Sequence, residues 1–212
     1  MRISFGTTRR TIAPLLALFI LSSAGRAAGQ IALQSPPPTD GPVPVQVGLN
    51  LIDVVEIDDS HKTVEFEAIL TLLWTDERLR FDPLEVGTDE IVYQGDYQFS
   101  EIGTGWWPQL FLRNASGTYE RQGILLRLSP DGTLRYEEEI RATAEVEMDL
   151  RRIPFDVQEF DLIFEPLGFD ASEVVLEPAP DWTSVRSDNV SVKQWSLGMI
   201  TGSQLEDAVL MK

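Results

Sequence analysis

From Val45 onward the apolar residues recur at every second position, not every third or fourth. Val45, Val47, Leu49, Leu51, Val55 and Ile57 fall on one face of an extended chain, with Asp53 the single polar intruder. After the polar turn Asp58-Asp59-Ser60-His61-Lys62, the series Val64, Phe66, Ala68, Leu70, Leu72 and Trp74 repeats the pattern. A period of two is the mark of a strand with one buried face. The opposite face of the second strand changes along its length, from Glu65 and Glu67 to Ile69, Thr71 and Leu73. Such a shift predicts a cover over that end, either a neighbouring subunit or a second sheet of the same domain.

Further along, Ile124, Leu126 and Leu128 lead into Ser129-Pro130-Asp131-Gly132, a hairpin turn by composition. On the return, Leu134, Tyr136, Ile140, Ala142, Ala144 and Val146 face inward with Glu138 as the exception, while Arg135, Glu137, Glu139 and Arg141 face outward. Phe160, Leu162 and Phe164 read as another strand, Val174-Val175-Leu176 as a short apolar run, and residues 204–210 as a turn or short helix. Many short strands without helices between them predict an all-β, immunoglobulin-like sandwich.

Residues 149–160 do not fit that pattern. Pro154 fixes its own φ and pushes Ile153 towards an extended conformation, and Phe155 stands among Arg151, Arg152, Asp149 and Asp156. A loop both charged and aromatic either docks on a partner or tucks its ring under its own sheet. Asp76 and Arg78, at the end of the second strand, are spaced to pair across a surface turn and contribute little. Trp106, Trp107 and Phe111 precede Arg113 and Asn114, which suits either a small-molecule site or a core.

Composition narrows the setting. Arg2, Arg9 and Arg10, the apolar run 12–21 and the small residues after it have the order of a secretory leader, which places a signal peptide at residues 1–28. A proline-rich linker follows at 29–43, and the sandwich domain occupies 44–212. Without the leader's four arginines, 13 basic residues face 34 acidic ones, so the exported chain repels nucleic acid. It has no cysteine and one histidine, His61. Thiol chemistry and histidine-rich zinc ligation are excluded, no Gly-x-Ser-x-Gly turn accompanies the histidine, and nothing calls for a cofactor. The chain is not expected to be an enzyme. Asp53, Glu56, Asp58 and Asp59 are either calcium ligands or a solvated acidic end. His61 is either a pH sensor or inert. Asn114-Ala115-Ser116 and Asn189-Val190-Ser191 fit the N-glycosylation pattern.

Four motifs stand in a fixed order: Trp74-x-Asp76-x-Arg78-Leu79, Trp106-x-Pro108, Ser129-Pro130-Asp131-Gly132 and Arg152-x-Pro154-Phe155-Asp156-x-Gln158, with Trp195 after them. Together they resemble the extracellular ligand-binding domain of the pentameric ligand-gated ion channels. Val146 and Phe160 stand where the animal receptors carry two cysteines, which resembles the cysteine-free bacterial branch. The resemblance implies a sandwich of about ten strands, five identical copies in a ring, and a small-molecule agonist between neighbours. It also implies a membrane domain outside these residues, onto which the 58–62 turn and the 149–160 loop dock as coupling elements. Asp58, Asp59, Arg152, Pro154, Phe155 and Asp156 are their expected contacts. Carried over position by position, the agonist box falls on Ile69, Arg113, Leu167 and Phe169. With three aromatics replaced, a cage for quaternary amines is not expected, and Arg113 suits an anionic or carbonyl ligand. The family's chain continues through another strand, so the sandwich is expected to lack its last one. The alternative reading is a soluble secreted binding protein of the same fold.

Overall fold

A computed structural model describes residues 35–94, 105–148, 157–185, 191–192 and 196–212. The leader, Arg152, Pro154, Phe155, Asp156, Asn189 and Trp195 lie outside the described residues.

The strands are β1 (Val43–Asp58), β2 (Thr63–Thr75), β3 (Ile91–Gln94), β4 (Leu110–Leu112), β5 (Ala115–Leu128), β6 (Thr133–Glu145), β7 (Leu162–Pro166), β8 (Val174–Pro178), β9 (Ser184–Val185), β10 (Gly202–Gln204) and β11 (Val209–Met211). Among the described residues, helix is limited to the four residues of α1 (Pro83–Val86) and two single 3-10 turns, Glu77–Leu79 and Pro180–Trp182. One sheet runs β3-β5-β6-β2-β1-β8, with β9 also paired to β1, and the other runs β10-β11-β7-β4. The expected all-β sandwich is present.

Alternation decides what lies between the sheets. Val64, Phe66, Ala68, Leu70, Leu72 and Trp74 are all buried, and so are Ile124, Leu126, Leu128, Leu134, Tyr136, Ile140, Ala142 and Ala144. β2 and β6 pair without a slip from Thr63 opposite Glu145 to Thr75 opposite Thr133. β1 departs from the expected face. Irregularities between Leu51 and Asp53 and between Val54 and Glu56 shift the phase. As a result Val54 is buried where Val55 was expected, and Asp53 leaves the core to hold Ser191 through its backbone N–H at 2.8 Å and its hydroxyl at 2.6 Å. An inserted residue reverses every side chain beyond it until a second insertion restores the phase.

Three further expectations are corrected. Residues 204–210 form neither a turn alone nor a helix. Val209 pairs with Phe164 and Met211 with Leu162, and both Val209 and Met211 are buried. Asp76 and Arg78 are not a surface pair, because Asp76 is fully buried. Its carboxylate accepts from Arg78 Nε (2.8 Å), Nη2 (2.7 Å) and backbone N–H (3.0 Å). The cover over the outer face of β2 is, in part, neither a neighbour nor the second sheet. The 3-10 turn Pro180–Trp182 lies across Gly48, where an added Cβ would come 2.5 Å from Trp182 Cβ. Thr71, opposite Gly48 in register, is buried, and the Arg135 guanidinium stacks on Trp182 at 4.9 Å.

Glu138, the inward exception, is 5% exposed and fully partnered. It accepts from the Tyr136 hydroxyl at 2.6 Å and the Tyr119 hydroxyl at 3.3 Å, and pairs with Arg121 Nε at 3.1 Å. Burial, and then the neighbouring carboxylate, push both tyrosines well above their usual range, so they remain donors. At one end of the sandwich the first and third motifs lock together. Asp76 N–H donates to Gly132 O (2.9 Å), Phe81 N–H to Pro130 O (3.2 Å) and Arg80 Nε to Asp131 O (3.0 Å). Gly132 has φ 84°, and a Cβ there would meet Asp76 O at 2.5 Å, so glycine is required twice over.

Candidate ligand-binding and coupling surfaces

The four expected ligand contacts occupy two separate surfaces. Ile69 sits on β2 opposite Asn50 and Glu139, its side chain on the face of the larger sheet turned away from the smaller one. Arg113, Leu167 and Phe169 belong to the smaller sheet's side. Leu167 follows β7, is 53% exposed, and donates its N–H to Gln109 O at 2.7 Å. Phe169 meets Trp106 edge-on at 5.6 Å, and Trp106 meets Trp74 edge-on at 6.1 Å. Trp106 is therefore a core residue, while Trp107 and Phe111 are partly exposed near the same edge. Arg113 pairs with Glu165 and, at 3.2 Å, with Asp207. Two carboxylates already neutralise it, so its charge is less available to an anionic ligand than the sequence suggested.

The opposite end carries the 58–62 turn. Asp58 Oδ1 accepts the backbone N–H groups of Ser60 and His61, each at 2.9 Å, and Oδ2 lies 2.7 Å from His61 Nδ1. The backbone N–H of His61, and then its ring, hold the Asp58 carboxyl below its usual range. The same hydrogen bond raises the His61 pKa. Asp59 is exposed beside them. Lys62 adopts φ 55°, and its carbonyl accepts the N–H of Val146 at 2.9 Å. The turn is thereby tied to the first stem of the 149–160 loop. Among the described residues, no group of three or more His, Asp or Glu side chains could hold a metal ion. Asp53 and Asp58 are committed to protein hydrogen bonds.

The sequence that forms this sandwich is similar to that of known proteins. Residues 33–207 match the model of the neurotransmitter-gated ion-channel ligand-binding domain.

The chain belongs to this family.

It is 31% identical over 175 residues to a proton-gated ion channel of Gloeobacter violaceus, an alignment covering 82% of this chain and 46% of that protein. It is 29% identical over 160 residues to a gamma-aminobutyric acid receptor beta subunit of Caenorhabditis elegans (72% and 28%). It is 26% identical over 142 residues to an acetylcholine receptor beta subunit of Rattus norvegicus (66% and 27%). The chain spans less than half the length of these curated relatives. The family membership drawn from four motifs is thus borne out, and the family is one of channels, not enzymes.

Sequence reasoning missed two features of these surfaces. Gly48 gave a detectable signal, a glycine interrupting a strand, which marks close backbone approach. The sequence offers Asn114 as a glycosylation acceptor or as a polar neighbour of the Trp106–Phe111 aromatics, and its partners 31 and 47 residues away leave no local trace.

Proposed function

We propose that this chain is the agonist-binding extracellular domain of an agonist-gated ion channel. Residues 1–28 are its export leader and 29–42 a linker. The binding domain, which the sequence alone would start at 44, begins with the buried Val43 of β1 and runs to 212. It is displayed on the periplasmic or extracellular side of the cell membrane. Identical copies assemble as a ring of five, and a small molecule binds between neighbours. The signal leaves through the 58–62 turn and the 149–160 loop, by way of Asp58, Asp59, Arg152, Pro154, Phe155 and Asp156, to a membrane domain outside these residues.

One observation carries the interface reading. Ile69 faces away from the sheet that bears Arg113, Leu167 and Phe169. Within one copy the two halves of the box cannot close on one ligand; between neighbours they can. Leu167 and Phe169 then form an apolar wall on one copy, and Ile69 forms the wall of the next. Arg113, held by Glu165 and Asp207, sets the polarity between them.

The test joins this chain to the membrane domain of the Gloeobacter relative and introduces Ile69→Cys and Leu167→Cys. Oxidation is expected to link copies into a ladder ending at five, and to alter currents evoked by acid steps. Copies that never cross-link, in a channel that still conducts, would refute the interface.

A further inference from the structure

Asn114 stands where the chain leaves β4 in the smaller sheet and enters β5 in the larger one. The backbone at this crossing serves both sheets. Arg113 N–H donates to Ile163 O at 2.7 Å, and Asn114 O accepts from Glu145 N–H at 2.8 Å. The side chain repeats the arrangement. Its Nδ2 donates to Glu145 O at 2.8 Å and to Asp161 O at 2.7 Å, and its Oδ1 accepts from Ile163 N–H at 3.1 Å. The partners also settle the amide's orientation, because a flipped carboxamide would set oxygen against two carbonyls.

Glu145 closes β6, and Asp161 immediately precedes β7. One carboxamide therefore grips the residues on either side of the stretch 146–160. The adjacent Val146 N–H reaches Lys62 O at 2.9 Å, so the grip extends to the 58–62 turn. Both amide hydrogens and the carbonyl are used. Aspartate would keep the acceptor and lose both donors; alanine would lose all three bonds.

We infer that Asn114 is the positioning residue that clamps both stems of the 146–160 stretch and, through Val146, holds the 58–62 turn in register with them. Nδ2 is the atom that glycosylation of Asn114-Ala115-Ser116 would modify, and both its hydrogens are committed. The clamp and a glycan exclude one another at this site. Only the consequence for gating rests on the proposed coupling role; the clamp stands on its own bonds.

Amide hydrogen exchange on the full chain tests the clamp. In Asn114→Ala, the Ile163 and Val146 amides are expected to exchange about tenfold faster, the loss of roughly one buried hydrogen bond, while amides of Phe66 and Ile140 keep their protection. In Asn114→Asp, Ile163 stays protected and Val146 does not. Adding Val146→Cys and Phe160→Cys to Asn114→Ala, and oxidising the pair, is expected to restore stem protection, because a cross-link there does the carboxamide's work. Unchanged exchange at Ile163 and Val146 in Asn114→Ala would overturn the inference. So would a uniform loss across β2 and β6 that the cross-link leaves unrepaired, since that would be general destabilisation. Faster stem exchange alongside unaltered acid-evoked currents in the fused channel would uphold the clamp and count against the coupling role alone.

Discussion

Replacing Arg78 by alanine removes the guanidinium from a carboxylate with no exposed surface. Asp76 would keep one partner from Arg78, the backbone N–H at 3.0 Å, and lose contacts at 2.8 and 2.7 Å. Stranding a buried charge in this way costs about 3–5 kcal/mol, a large share of the 5–15 kcal/mol typical of a domain. The site also binds three segments, since Arg78 Nη2 reaches Ser35 O at 2.9 Å and Asp76 N–H reaches Gly132 O at 2.9 Å. Adding Asp76→Asn removes the stranded charge while leaving an acceptor for the backbone N–H. The double variant is therefore expected to be more stable than Arg78→Ala, a sign that additive losses cannot produce. Urea unfolding of the full chain, followed by tryptophan fluorescence, measures both. A loss below about 1 kcal/mol for Arg78→Ala would match an exposed pair and refute the buried-charge argument. A double variant less stable than the single would refute it equally.

Two further outcomes follow from the geometry. Gly48→Ala would place a Cβ 2.6 Å from Trp182 O, and is expected to cost about 1–3 kcal/mol and lift the Pro180–Trp182 turn, read as a change in Trp182 fluorescence; unchanged stability and emission would rule out the close approach. His61 is expected to titrate above 6.5 by NMR and to return towards that value in Asp58→Asn. The pair's contribution from His61 is complete below the unfolded pKa and fades as pH rises through the raised folded value. The contribution from Asp58 is present above its unfolded value and fades as pH falls through the lowered one. A midpoint in the native chain equal to that in Asp58→Asn would contradict the 2.7 Å contact.

The parts legible without coordinates were those with a local period. β2, β6 and the end of β5 from Ile124 were readable because their inward residues alternate without a break, down to Glu138 as the exception, whereas two register shifts hide the first part of β5. β1 was readable only as far as Leu51. One irregularity there reverses the phase and a second restores it before Ile57, and alternation alone cannot show where a residue has been inserted. β11 was missed because a three-residue strand holds too little alternation to be told from a turn. Asp76 and Arg78 were recognised as a pair, yet their depth depends on the 129–132 turn packing over them, more than fifty residues along the chain.

The candidate surfaces divide in the same way. The family resemblance carries Ile69, Arg113, Leu167 and Phe169 over as expected contacts, but could not say that Arg113 is neutralised by Glu165 and Asp207, since neither lies near it in sequence. By itself the sequence determined the all-β class and the inward faces of β2 and β6, from residue type at short spacing, and the family, from the order of four motifs along the chain. Tertiary structure alone decided that Ile69 and Leu167 face apart, that Trp182 covers Gly48, and that Asn114 holds residues from both sheets. Each of these depends on where distant segments meet, and a chain records such meetings only in its fold.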